Sequence, residues 1–311
     1  MRSDENLDQY FLPKTDLAAR QSINVRARHT SKFDMAERHW VGGDPFATAF
    51  FNALSAVFPH GETFMIRSLM PLKGRVPEPL NTQIAAFIEQ EAGHSREHVA
   101  MNKGLVAAGF DVTPLDRAIR KFVAMFRNAN DVTKVGATMC IEHITAIIAA
   151  EVLKNDRHLA GSDPQLRELW LWHAVEEVEH KAVAFDTFMY LTRDWSALRR
   201  WATRSSMMML ISASFLFNRT RGQIELLRQD GYSFGEAMRG ILKSSFGKDG
   251  IGRNVIMPLF HFLKPGFHPW DIDDHALISR GDEQLKEATA KKAIPVEVTE
   301  RRKTLRLAKA A

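Results

Sequence analysis

His173–Asp186 reads HAVEEVEHKAVAFD. Two histidines and three glutamates fall in its first eight residues, and the remainder is mostly apolar. On a helix, His173, Glu177 and His180 stand at i, i+4 and i+7, which is one face. Glu176 competes for that face, but only Glu177 precedes a histidine by three. Glu179 points elsewhere and is expected in solvent. Such a face is either a solvated, salt-bridged surface or one wall of a metal site. The choice depends on whether other helices carry a matching set.

They do. Of the 12 histidines, only His94 and His180 have glutamate three residues before them, as Glu91–His94 in EAGH and Glu177–His180 in EVEH. Each pair follows a helix with a glutamate among apolar residues. Glu62 precedes Glu91 by 29 residues, and Glu142, in MCIEHITAIIAA, precedes Glu177 by 35. Antiparallel helices joined by a short loop bring residues about 30 apart to one height, each leg rising roughly 20 Å at 1.5 Å per residue. The 48 residues from His94 to Glu142 leave room for a crossover.

The wider chain fits this plan. Apolar residues at helical spacing mark Ala47–Phe58, interrupted at Pro59 and Gly61 and resumed over Glu62–Met70, which predicts a kinked helix. A second helix is expected from an Asn81 cap to about Ala107, a short one over 115–128, a third long one from Asp131 to about Asn155, and a fourth from Gln165 to Leu191. A helical pair over 195–246 and an irregular stretch, Phe262–Asp274, follow. Alternating β-branched runs are scarce. The predicted class is all-α: a ferritin-like four-helix bundle with additional helices and irregular termini. The expected organisation is a polar extension over 1–44, the helical metal domain over 45–275 and a charged tail over 276–311.

The order Glu, Glu-x-x-His, crossover, Glu, Glu-x-x-His is that of di-metal carboxylate bundles. The expected ligands are Glu62, Glu91, His94, Glu142, Glu177 and His180, with His173 open between ligand and supporting residue. Four carboxylates in an apolar interior repel, and two divalent cations cancel them. Imidazole and carboxylate suit two Fe ions, with Mn or Zn as alternatives. His98, His143 and Asp186 are expected to support the ligands by hydrogen bonds. Cys140 reads as a buried small residue.

Composition sets the remaining bounds. The chain has 311 residues, 45% hydrophobic and 25% charged, with net charge +5 and one cysteine. The single thiol allows no internal disulfide and fits a reducing compartment. The N-terminus has no signal-peptide pattern, so a cytoplasmic protein is expected. No nucleic-acid motif accompanies the mild positive charge. The longest apolar run, Met207–Phe217, is too short to span a bilayer and reads first as a core helix. Its flanking arginines leave a peripheral membrane contact as the second reading.

WVGGDPFATAFFNALSAVFPHGETF, EQEAGHSREHVAMN, IEHITA, WHAVEEVEHKAVAFDTF and KPGFHPWD together resemble a bacterial family known as predicted metal-dependent hydrolase, over about residues 20–275. The His-x-x-x-Glu-x-x-His of the fourth helix also resembles arylamine N-oxygenase di-iron enzymes. The ligand pattern makes a di-iron oxygenase or oxidase the leading expectation, and the family resemblance makes a metal-dependent hydrolase on the same centre the alternative. Expected partners are a small apolar substrate, O2 and an electron donor, with a homodimer as a further option.

Overall fold

The computed structural model describes residues 23–28, 32–35 and 37–292. The described residues form helices joined by turns, with one isolated backbone bridge between Val41 and Ser162. The chain order is α1 (Pro45–Leu69), α2 (Leu80–Ala107), α3 (Thr113–Ala124), α4 (Asp131–Lys154), α5 (Pro164–His180), α6 (Val183–Leu191), α7 (Ala197–Gln229), α8 (Phe234–Phe246), α9 (Ile251–His261) and α10 (His275–Lys292). The four long expected helices map onto α1, α2, α4 and α5–α6. α1 packs along α2 and α4 along α5, while α1 meets α4 and α2 meets α5. That closes a four-helix bundle, with α3 in the crossover.

Side-chain caps start several of these helices. Asp44 accepts from the backbone of Phe46 and Ala47 ahead of α1, Asn130 caps α4, Asp163 caps α5, and Ser233 with Glu236 forms a capping box on α8. Asn81, expected as a cap, instead lies inside the first turn of α2. Its Oδ1 accepts from Gly74 N at 2.7 Å, so it ties down the preceding loop while Pro79 occupies the cap position.

α1 continues through Pro59 as a single helix. Proline has no N–H, so the Ser55 carbonyl one turn back loses its helical donor. Asn102 of α2 supplies the replacement, donating Nδ2–H to Ser55 O at 2.9 Å. This exchange of donors fixes which way the Asn102 amide faces.

The expected Gln165–Leu191 helix breaks at Lys181–Ala182. Lys181 falls on the inward run, and a buried ammonium needs partners. It finds them in the segment after α9: Nζ donates to Asp274 Oδ2 at 2.6 Å and to Ile272 O at 2.8 Å, and lies over the Trp270 ring. The turn between α5 and α6 coincides with this anchor.

The core divides around the bundle interior. One cluster gathers Trp40, Phe51, Trp170 and Trp172, and another Phe64, Phe87, Phe185 and Phe262. Burying each such ring stabilises by about 1.5–3 kcal/mol. The polar extension is partly built into this core, since Phe33 and Trp40 are both buried. Among the described residues, α4 is the one helix long and apolar enough to cross a membrane, and it is mostly buried inside the bundle. The Met207–Phe217 run lies within α7, with Met208 and Ile211 buried and Leu210, Leu216 and Phe217 exposed.

Candidate metal centre

Four helices deliver the ionisable groups. α1 brings Glu62, α2 brings Glu91, His94 and His98, α4 brings Glu142, and α5 brings His173, Glu176, Glu177 and His180. All are buried, none more than 3% exposed. Carboxylates removed from water to this degree cost several kcal/mol each unless matched by charge or hydrogen bonds.

Two overlapping groups of donor atoms lie within 4.8 Å: Glu91, His94, Glu177 and His180 in one, and Glu62, His94 and His173 in the other. His94 belongs to both. Its ring stacks on that of His173 with centroids 4.2 Å apart. His94 Nδ1 lies 3.6 Å from Glu91 Oε1 and 3.8 Å from Glu177 Oε1. His173 Nε2 is 2.9 Å from Glu177 Oε1, and His180 Nε2 is 3.1 Å from Glu91 Oε1.

The ring nitrogens on the far side are each engaged. His94 Nε2 pairs with Glu176 Oε2 at 3.0 Å, and Glu176 Oε1 accepts from the Arg26 backbone N–H at 2.8 Å. His180 Nδ1 pairs with Glu142 Oε2 at 2.7 Å. His173 Nδ1 pairs with His98 Nε2 at 2.9 Å. A histidine whose outer nitrogen is bonded this way has its inner lone pair fixed in direction, the usual preparation of a metal ligand.

For His173 the direction follows from Pro59. Asn102 Nδ2 donates to the carbonyl that Pro59 leaves free, so Asn102 Oδ1 faces Ser55 and accepts its hydroxyl hydrogen at 2.8 Å. Ser55 Oγ then accepts from His98 Nδ1–H at 2.9 Å. Burial holds His98 well below the usual histidine range, so it is neutral and its Nε2 is an acceptor. His173 Nδ1–H donates to it, and His173 Nε2 is left with a lone pair facing the Glu177 carboxylate. Two acceptors at 2.9 Å share a proton or a metal ion.

Unmatched atoms extend the same argument. Both oxygens of Glu62, both of Glu91, Glu142 Oε1, His94 Nδ1 and His180 Nε2 are buried without a hydrogen-bond partner. Native interiors leave few such atoms. Here they concentrate at one point and are the atom types that bind divalent metals. Burial, with Glu91 nearby, drives the Glu62 carboxyl well above its ordinary range, and burial pushes Glu142 up to about 8. Burial opposes charge on His94 and His180 as well, yet Glu176 and Glu91 hold His94 up at about 10, and Glu142 holds His180 well above its ordinary range. Without metal, protons occupy the place of cations. The donor set fits two divalent ions.

The sequence-derived ligand set therefore meets at one place, with Glu142 against His180 and outside both donor groups. His98 pairs with His173. His143 does not support the cluster: its Nε2 faces Pro258 O at 3.3 Å and its ring packs on Phe262 and Phe267, because α4 turns that face towards α9. Asp186 holds His268, not a cluster histidine, with Oδ1 3.1 Å from Nε2, since the break after His180 moves α6 out of register with α5. Glu179, expected in solvent, is buried. Arg26 clasps both its oxygens at 2.7 and 2.8 Å, and Gln90 donates at 3.1 Å. Burial pushes the Cys140 thiol far up, so it is no nucleophile.

Sequence reasoning weighed Glu176 only as a rival of Glu177, and it missed Thr145. Thr145 stands one turn after Glu142 and donates its hydroxyl to Glu177 Oε2 at 2.5 Å. Its i+3 spacing from Glu142 was the available signal. A cavity opens beside the cluster. Glu62, Thr145 and Glu177 line it together with Phe58, Met65, Phe122 and other apolar side chains.

The profile of a family described as predicted metal-dependent hydrolase matches residues 25–273. The chain belongs to this family. No curated protein and no solved structure matches it. The family description agrees with a metal-dependent centre and favours the hydrolase alternative over the leading expectation of a di-iron oxygenase. The matched span covers every cluster residue from Glu62 to His180.

Proposed function

We propose that the chain is a metal-dependent hydrolase whose dinuclear centre acts on a largely apolar substrate. The observation that carries this reading is the concentration of unmatched buried carboxylate and imidazole atoms at the inner end of an apolar cavity. Glu62, Glu91, Glu177, His94, His173 and His180 would hold the ions, and Glu142, Glu176 and His98 would orient the three histidines. Bound divalent ions would supply Lewis acidity towards an ester, amide or phosphate oxygen and a hydroxide nucleophile near neutral pH. The chain's own contribution is positional. Glu62 and Glu177 border both centre and cavity, Thr145 fixes the Glu177 carboxylate, and the apolar lining excludes bulk water from the substrate.

A second reading, oxidation by O2 on two Fe ions, is favoured by one observation. Each half of the bundle supplies a glutamate on one helix and a Glu-x-x-His pair on the next, the arrangement of di-iron carboxylate bundles. One experiment separates the two. Zinc- or manganese-loaded protein without O2 should hydrolyse p-nitrophenyl octanoate, and Glu91→Ala should abolish the activity. No turnover under those conditions, with O2 uptake by the reduced iron-loaded protein, would replace hydrolysis with oxidation.

A further inference from the structure

Arg219 of α7 lines the same cavity as Glu62 and Glu177. Its guanidinium stands over the Phe50 ring, 4.9 Å from the centroid. It is half-buried, and among the described residues no carboxylate pairs with it. Burial alone draws it down to about 10, so it stays charged at neutral pH. Among the described residues, other deeply placed cations have partners: Arg26 has Glu179, Arg28 has Glu97, Lys181 has Asp274, and Arg204 has the carbonyls of Phe262 and Lys264. A guanidinium withdrawn from water and facing a cavity is a site for an oxyanion, which its planar fork binds bidentately.

The cavity is polarised along α1. Phe50, beneath Arg219, precedes Glu62 by twelve residues, an axial separation of roughly 18 Å at 1.5 Å per residue. Exposed Arg221 reinforces the basic end, with Glu225 on the same helix as the one acidic lining residue there. Glu62 and Glu177 make the other end acidic. Between them the walls are apolar, including Leu54, Val57, Leu115, Ile119 and Phe215. An anionic head can pair with the guanidinium at one end while the apolar body lies along the walls between.

We propose that the substrate is an amphiphile with a carboxylate or phosphate head group, held with its head at Arg219 and its apolar body extending towards Glu62 and Glu177. The proposal rests on the reading of this cavity as the substrate site. It places the reacting bond away from the acidic group.

The test measures dissociation constants of octanoate, octyl phosphate and 1-octanol on zinc-loaded protein by calorimetry. Octanoate or octyl phosphate should bind at least about tenfold more tightly than 1-octanol, as a charge-assisted pair at a half-buried site allows. Preference for octanoate alone assigns a carboxylate head, and preference for octyl phosphate alone a phosphate head. Arg219→Met should erase the preference and leave 1-octanol binding unchanged. Arg219→Gln should do the same and serves if the methionine variant melts early. Persistence of the preference in both variants would put the head group on the metal ions and overturn the proposal. Equal binding of all three ligands to the wild type overturns it while keeping the cavity as the substrate site, and binding of none overturns both.

Discussion

His173 Nδ1 lies 2.9 Å from His98 Nε2, and that contact decides which nitrogen of His173 faces the centre. With His98 neutral and its own Nδ1–H given to Ser55, His173 must donate outward and present Nε2 inward. His98→Ala should therefore lower affinity for one of the two ions by about 10–100-fold, the usual effect of removing a ligand's hydrogen-bond partner. The other ion should remain. Metal titration followed by dialysis and elemental analysis checks this. Equal loss of both ions, or of neither, would remove His98 from this role.

Glu179 and His173 lie on one helix but should fail differently when replaced. Glu179→Ala removes the buried carboxylate from Arg26, which keeps Asp282, and should destabilise the fold by about 2 kcal/mol. Metal stoichiometry in the folded variant should be unchanged. His173→Ala should weaken one ion with a smaller effect on stability measured without metal. Urea denaturation of both chelated variants separates them. The reverse pattern would mean that Glu179 is the ligand and the α5 register is wrong.

The two Glu-x-x-His pairs were legible in the sequence because i, i+3 geometry is local. Glu62 and Glu142 were legible because antiparallel hairpins convert spacing into height. The burial of Glu176 and Glu179 was not legible, because it depends on Arg26, some 150 residues away in a polar segment with no helical period. Asp186 was misplaced for a related reason. The turn after His180 follows from a Lys181 partner at Asp274, which no local pattern announces. The link from Pro59 through Asn102 to His173 crosses two helices and appears only in three dimensions.

The pH dependence of metal-free protein should run downhill with rising pH. Glu142, raised by burial to about 8, binds its proton more tightly folded than unfolded. Its stabilising contribution is complete below the ordinary glutamate value and is lost as pH rises through about 8. His94, held up at about 10 by Glu176 and Glu91 against the effect of burial, contributes below the ordinary histidine value and loses that contribution towards 10. Metal displaces the protons of the ligands Glu62 and His94, both held above their ordinary values without it. The gap in melting temperature between zinc-loaded and chelated protein should therefore widen from pH 5 to pH 9. A constant or narrowing gap would mean that metal does not compete for these groups.

On the proposed function, the buried carboxylates and histidines exist to hold metal. The most direct measurement is the metal content of the full chain by elemental analysis, for the wild type and for Glu62→Ala and Glu91→Ala. The wild type should carry about two transition-metal ions per chain. Glu62→Ala should carry about one, and Glu91→Ala at most one. A wild type that stays metal-free after exposure to iron, manganese and zinc, or variants that keep its full content, would contradict the account.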